Sequence, residues 1–323
     1  MTIEVKIIAD SIAANAPRLT TMQLKYPRFI HAELMTHRKF SRNASSSRAI
    51  PVKKMIQDII EDTAMPLHWG RNMPGMQAKE ENNDLLYHGS VSPLDMVDNR
   101  YDGVTREKAW FTARDKAISV AEAFDKAGYH KQIVNRILEP FMHISVIVSS
   151  TDFANFYHLR RHPDAQPEIK ALADSMFLAQ KNSTPTFLVP GQWHLPYITD
   201  EDRKTLVAGY DGISGDYVQQ FDMVSSEDLI KCSVARCARV SYLTHDGEKP
   251  SMEKDLSLYE RLVGSVPLHA SPAEHQATPD RFDINENMES VWSSPQLSGN
   301  FSEGWIQYRK LLDKECVYTY EGI

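Results

Sequence analysis

The feature that most narrows the fold is the alternation of short apolar runs with two different periods along the first 180 residues. VKIIA and TTMQLKY, which stops at Pro27, read as strand-like, and PRFIHAELMTH reads as a helix, because proline suits a first helical turn. That helix places Phe29, Ile30 and Leu34 inward and delivers His37 and Arg38 into a polar loop. Pro51 then opens a helix through Met55, Ile56, Ile59 and Ile60. Thr105 can cap a long helix with Trp110, Ala113, Ala117, Val120, Ala121 and Phe124 at helical spacing, ended by Gly128. HKQIVNRILE is a further helix, HISVIV a strand, FANFYHLRR a short helix, and Ala165 to Gln180 a strongly amphipathic one with Ile169, Leu172, Met176 and Phe177 on one face. Strands and helices interleaved this way predict an α/β (α+β) fold, a mixed sheet with helices packed on it.

Elsewhere the pattern weakens. Residues 66–104 are rich in glycine and proline and read as an irregular excursion, and residues 181–230 show no clean period. The expected organisation is one half over residues 1–180, a connecting or inserted segment over 181–230, and a second half over 231–323 that completes the same domain. That second half begins with IKCSVARCARVSY and continues through a helix near DLSLYERLVG, the segment LHASPAEH and a closing amphipathic piece, GWIQYRKLLDK.

A formal charge of −7 argues against a chain that lives by wrapping duplex nucleic acid, an affinity that comes mainly from phosphate neutralisation. No stretch is apolar enough to span a bilayer, and MTIEVKIIAD lacks the layout of a signal peptide, so a cytoplasmic protein without membrane contact is expected. Three cysteines, Cys232, Cys237 and Cys316, fit reduced thiols better than a disulfide framework.

The densest polar cluster is THRKFSRNASSSR, with one histidine, three arginines, four serines and an asparagine in thirteen residues. Arginine forks, hydroxyls and free backbone N–H groups make an anion cradle, whereas the plain alternative is a solvated loop whose serines and asparagine serve turns. His158 and His162 are four apart, but HLRRH lacks the glutamate of a zinc-protease motif and Pro163 follows at once, so no metal site is expected. Arg136 and Arg160, each taken alone, are ordinary surface arginines. LHASPAEH offers a serine and two histidines, but no glycine-flanked serine elbow, Walker loop or GxGxxG is present.

THRKFSRNASSSR closely resembles the signature of the flavin-dependent thymidylate synthases, RHRxxSxNExSxR, matching at His37, Arg38, Ser41, Asn43, Ser46 and Arg48. A second family segment, RxxLP followed by NxRSLxxFLxLRxxxxAQxEI, is similar to NRILEP followed by SSTDFANFYHLRRHPDAQPEI, with Arg136, Asn155, Phe156, Leu159, Arg160, Ala165, Gln166, Glu168 and Ile169 in place. RCARVSY and LHASPAEH resemble the family's RAARVSY and GHxSPFEH, which precede the arginine signature in the family but follow it here by about two hundred residues. This order implies a circular permutation, possible where ancestral termini lie close together on the surface.

The resemblance implies that His37, Arg38, Asn155, Ser241, His269 and Ser271 help hold FAD. It implies that Glu33, Ser46, Ser47, Arg48 and Arg136 contact the nucleotide, with Arg48 and Arg136 at the phosphate, and that Arg160 is both a substrate contact and the catalytic residue, supporting ionisation of the pyrimidine. The implied reaction moves a one-carbon unit from methylenetetrahydrofolate to C5 of dUMP with NADPH as reductant, in a homotetramer with shared active sites. Thr36 replaces the signature's first arginine, Ala44 its glutamate, and Ser149 and Thr151 the asparagine and arginine before the short helix, while Glu33 stands where glutamine is common. Arg42 is a candidate replacement for the charge missing at Thr36. These departures keep open another pyrimidine deoxynucleotide such as dCMP, methylated or hydroxymethylated, and a non-catalytic flavin- or nucleotide-binding module.

Overall fold

The structure, a computed structural model, describes residues 2–87, 103–210, 217–223, 225–240, 250–284 and 288–317. Strands β1 (Glu4–Ala13) and β2 (Ala16–Pro27) form a hairpin. Its turn places Asn15 at φ 61°, a left-handed conformation that asparagine tolerates better than most residues. A single turn, α1 (His31–Leu34), leads to a short strand, β3 (Ser41–Ala44), and then to α2 (Val52–Glu61). Helices α3 (Arg106–Lys126) and α4 (Lys131–Ile137) precede β4 (His143–Ser150). After it come α5 (Ala154–Arg160), α6 (Pro167–Asn182) and β5 (Thr186–Leu188).

These strands make one mixed sheet in the order β3-β4-β2-β1-β5, with β5 parallel to β1 and the other pairings antiparallel. The fold is therefore mixed α/β. Side chains alternate across a strand, so β4 serves two faces. Ile144, Val146 and Val148 join Met22, Leu24 and Tyr26 of β2 in a core closed by Ile30, Leu34, Phe156, Ile169, Leu172 and Met176 from α5, α6 and the first turn. Ile147 and Ser149 face the other way, where Ile147 packs with Tyr197, Cys237 and Val240. A separate core joins α2, α3 and α4 through Met55, Ile59, Ile118, Ala121, Val134 and Leu138.

Beyond the sheet, β6 (Lys204–Tyr210) and β7 (Tyr217–Met223) pair antiparallel. Helix α7 (Ser226–Arg239) packs on α8 (Met252–Val263) around Leu229, Ile230, Val234 and Tyr259. The short strands β8 (Ala277–Pro279), β9 (Phe282–Ile284), β10 (Ser290–Trp292) and β11 (Trp305–Gln307) pair as β8 with β11 and β9 with β10. On α7, Arg236 is 1% exposed and forks onto Asp202 and Asp255, so the charge is buried only because two carboxylates neutralise it.

Several elements differ from the sequence pattern. The long helix expected from Pro27 is a 3-10 turn, Arg28–Ile30, followed by α1 alone, and Phe29 is 37% exposed rather than inward. Part of the polar signature loop is the edge strand β3. The closing amphipathic piece is β11 followed by a 3-10 turn, Tyr308–Leu311, with Trp305 fully buried. Ile60 and Val120 are exposed, at 52% and 44%. Thr105 does cap α3, accepting from Lys108 N, and Gly128 ends that stretch at φ 83°.

Burial pushes the Cys232 thiol up to about 12 and raises Cys237 further, so both are inert packing groups. No helix among the described residues is long and apolar enough to cross a membrane.

Candidate functional site

Everything in the candidate site depends on how the chain leaves α1. The Arg42 guanidinium gathers the carbonyls of this turn: Nη1 donates to Met35 O (2.8 Å), His37 O (3.2 Å) and Leu34 O (3.4 Å), adding to the backbone bonds that Leu34 O and His37 O accept from His37 N and Phe40 N. Arg42 thus braces the loop from the side of these carbonyls. Thr36 itself donates to Glu33 O at 2.7 Å.

Within this braced loop His37 is 9% exposed and packs edge-on against Phe156, ring centroids 4.8 Å apart. Its Nε2 accepts from Arg160 Nε at 3.0 Å. Burial, reinforced by the nearby Arg160 and Arg42 charges, lowers the His37 pKa and keeps the ring neutral, as an acceptor must be. Arg160 also reaches Glu33 (3.3 Å) and Thr36 Oγ1 (3.4 Å). Glu33, Thr36, His37 and Arg160 therefore form one cluster joining the ends of α1 and α5. On its far side His37, Arg38 and Asn155 line a cavity of about 240 Å³ with Phe156 and Asp152.

A second cavity, about 350 Å³, gathers Ser46, Ser47, Arg48 and Arg136 with Arg28, His31 and Glu139. The loop carrying the serines is fixed from below by Asn135, whose amide donates to Ser47 O (2.7 Å) and Ile50 O (3.0 Å). Arg28 is paired with Glu139 at 3.0 Å, whereas among the described residues neither Arg48 nor Arg136 has an ion-pair partner. Two uncommitted guanidinium groups beside serine hydroxyls are an anion-binding arrangement. Ala44, in place of an acidic residue, adds no opposing charge to this wall.

The third contribution comes from far along the chain. The 3-10 turn Ser271–Glu274 packs on β3, and the Asn43 amide N–H groups face Arg42 O (2.9 Å) and Ser271 O (3.2 Å), with His275 Nε2 3.4 Å away. From His275 a buried chain crosses the sheet: Nδ1 to Ser149 Oγ (2.8 Å), Ser149 to Thr21 Oγ1 (2.6 Å), Thr21 to His194 Nε2 (2.7 Å), and His194 Nδ1 to Ser11 Oγ (2.8 Å). With the Asn43 N–H facing His275 Nε2, the chain runs one way: each imidazole donates from Nδ1 and accepts at Nε2. Both rings must then be neutral, and burial depresses each pKa to about 3.

The two signature segments, separated by more than two hundred residues, thus meet through Asn43, Ser271 and His275. Ser271 and His269 are exposed, and among the described residues neither makes a side-chain hydrogen bond to His37 or Arg38. Ser241 lies outside the described residues. Sequence reasoning did not single out Asn135, Arg28 or His194 as parts of the site, and it held His275 only as the last residue of LHASPAEH. Asn135 sits next to Arg136, and that adjacency was the available signal for it.

No protein-family model matches the chain, and no curated protein matches it. Among solved structures it is similar to the UMP/dUMP methylase PolB from Streptomyces cacaoi bound with 5-Br dUMP, with a TM-score of 0.38 and 14% identity over 55% of this chain and 89% of that one. The same protein bound with 5-Br UMP aligns with a TM-score of 0.34 and 17% identity, over 55% and 88% of the two chains.

Proposed function

We propose that the chain is a flavin-dependent enzyme that transfers a one-carbon unit from methylenetetrahydrofolate to C5 of a pyrimidine deoxynucleotide, dUMP, giving dTMP. The observation that carries this reading is the convergence of Ser46, Ser47, Arg48 and Arg136 on one cavity, with both arginines uncommitted among the described residues. In this reading that cavity takes the nucleotide phosphate, the arginines neutralising it and the serines accepting or donating at its oxygens.

The flavin test is one of size and donor chemistry. The cavity lined by His37, Arg38 and Asn155, about 240 Å³, suits one portion of FAD, with an arginine for a phosphate and the Phe156 ring for an apolar edge, and the remainder would extend over exposed surface towards Ser271 and His269. When bound, a flavin supplies hydride chemistry, with NADPH as the external reductant. This chain's own residues position and polarise. Arg160, held by Glu33 and His37, keeps a fixed positive charge where the pyrimidine ring would gain negative charge, without carrying a proton itself. Shared active sites in a homotetramer belong to the same reading.

One observation favours a second base. Glu33 offers a carboxylate beside Arg160, an acceptor that suits the 4-amino group of cytosine, so dCMP is the alternative substrate. The test incubates purified protein with FAD, NADPH, methylenetetrahydrofolate and dUMP, dCMP or UMP, and reads products by mass. A mass gain of one methyl on dUMP is expected. A product from dCMP alone would transfer the reading to cytosine, and flavin binding with no product from any nucleotide would leave a binding module.

A further inference from the structure

A further cavity lies outside the proposed nucleotide and flavin contacts. It measures about 820 Å³, within the range of small-molecule sites, and opens between the excursion after α2, the start of α3 and the loop that links α5 to α6. Its walls include Phe29, Met76, Pro140 and Trp110. Trp110 is fixed: its indole N–H donates to Ala64 O at 2.9 Å, and its ring meets Trp69 and Phe141 edge-on at 5.7 and 5.6 Å. With the N–H spent, Trp110 offers the cavity only apolar surface.

Against these walls stands Glu168. It lines the cavity yet is only 3% exposed, and among the described residues it accepts a single hydrogen bond, from Leu67 N at 2.6 Å, and has no ion-pair partner. A carboxylate has about four acceptor positions, and the Leu67 bond fills only one of them. Leu67 serves one oxygen. The other is not sealed away, so both oxygens keep acceptor positions for N–H groups of what enters the cavity.

We infer that this cavity binds a planar heterocycle that presents two adjacent N–H donors to Glu168, the pattern carried by the N1–H and 2-amino group of guanine. The aromatic and aliphatic walls take the ring, and the carboxylate fixes its edge. A carboxylate that pairs with two parallel N–H groups also selects, because a ring lacking one of them leaves an acceptor unmet. The inference does not rest on the proposed reaction: Glu168, Trp110 and Phe29 are not among the residues assigned to nucleotide or flavin.

Isothermal titration with guanosine and inosine tests it on the intact chain. Neither probe carries a phosphate, so the arginine cavity is not engaged, and Arg136→Ala should leave both titrations unchanged. Inosine lacks only the 2-amino group and should bind about tenfold more weakly than guanosine, the loss of one charge-assisted hydrogen bond. Glu168→Gln can keep the Leu67 bond while turning its NH2 towards the ligand, and should erase the preference between the two. Equal affinities in the unsubstituted protein, or no guanosine binding at millimolar concentration, would overturn the proposal. So would a concentration-dependent dimer, lost on Phe29→Asp, in which a second copy covers this face.

Discussion

Replacing His275 by asparagine should halve the acid sensitivity that the buried imidazole chain gives this fold. Both His194 and His275 are fully enclosed, and burial holds their pKa values near 3, against 6.5 for an exposed imidazole. The unfolded chain therefore binds more protons than the folded one between those values, so stability is complete above about 6.5 and falls as the pH drops. Between about pH 7.5 and pH 5.5 each such histidine costs about 1.4 kcal/mol, so the pair contributes roughly 3 kcal/mol. That value needs only a folded pKa well below 5.5. His31, His37 and His143, whose pKa values are also lowered by burial, push in the same direction and make the total larger. Asparagine can place an amide N–H near the Nδ1 position that serves Ser149, but it does not titrate. Urea unfolding at the two pH values gives four free energies, in which any loss common to both pH values cancels. The difference should shrink by about 1.4 kcal/mol in the variant. An unchanged difference would mean that His275 is not a neutral buried group in the folded chain.

Arg160→Ala should retain flavin and part of the nucleotide affinity but lose turnover, whereas Arg136→Ala should first raise the nucleotide concentration required; steady-state kinetics on the accepted nucleotide separates the two. Arg42→Ala should loosen the turn after α1 and weaken flavin binding, with partial recovery in Arg42→Lys, read by flavin fluorescence; equal retention of flavin by both variants would show that the brace is dispensable. Thr105→Ala removes the cap of α3 and should lower stability by about 1 kcal/mol, measurable as a shift in the urea midpoint.

The parts of the fold that were legible in the sequence are those in which periodicity and burial coincide. HISVIV reads as a strand because its alternate residues fill two apolar layers, and Ile169, Leu172 and Met176 read as one face because they close one of those layers. The edge strand β3 was not legible, because its pattern is set by partners rather than by hydrophobicity. Ser41 receives Gln307 and Asn300, Arg42 turns back to the loop carbonyls, and Asn43 meets Ser271. A four-residue strand with polar side chains and distant partners has no local signature. Residues 181–230 show the same effect. Leu188 and Leu195 are separate core contacts and His194 is a single buried polar link, so no period marks their inclusion.

Three departures, Thr36 from the arginine signature and Ser149 and Thr151 from the second segment, become intelligible from the contacts these residues make. Ser149 lies within the buried chain, bonded to Thr21 and His275, and a larger amide there would have to displace one of those partners. Thr151 takes Ser302 N at 2.9 Å and donates to Ser302 Oγ at 3.0 Å, so a hydroxyl meets a demand from the C-terminal segment that a guanidinium could not meet as an acceptor. At Thr36 the position left by the absent arginine is crossed by Arg160, which reaches Thr36 Oγ1, Glu33 and His37 together. An additional cation at that point would compete for the single Glu33 carboxylate and oppose Arg160. The substitution therefore leaves Arg160 with an anion of its own, while Arg48 and Arg136 have none among the described residues. On the proposed reading the two environments would divide the work, because a guanidinium held in place by a carboxylate can be aimed at a ring, whereas a pair without partners can take up a dianion.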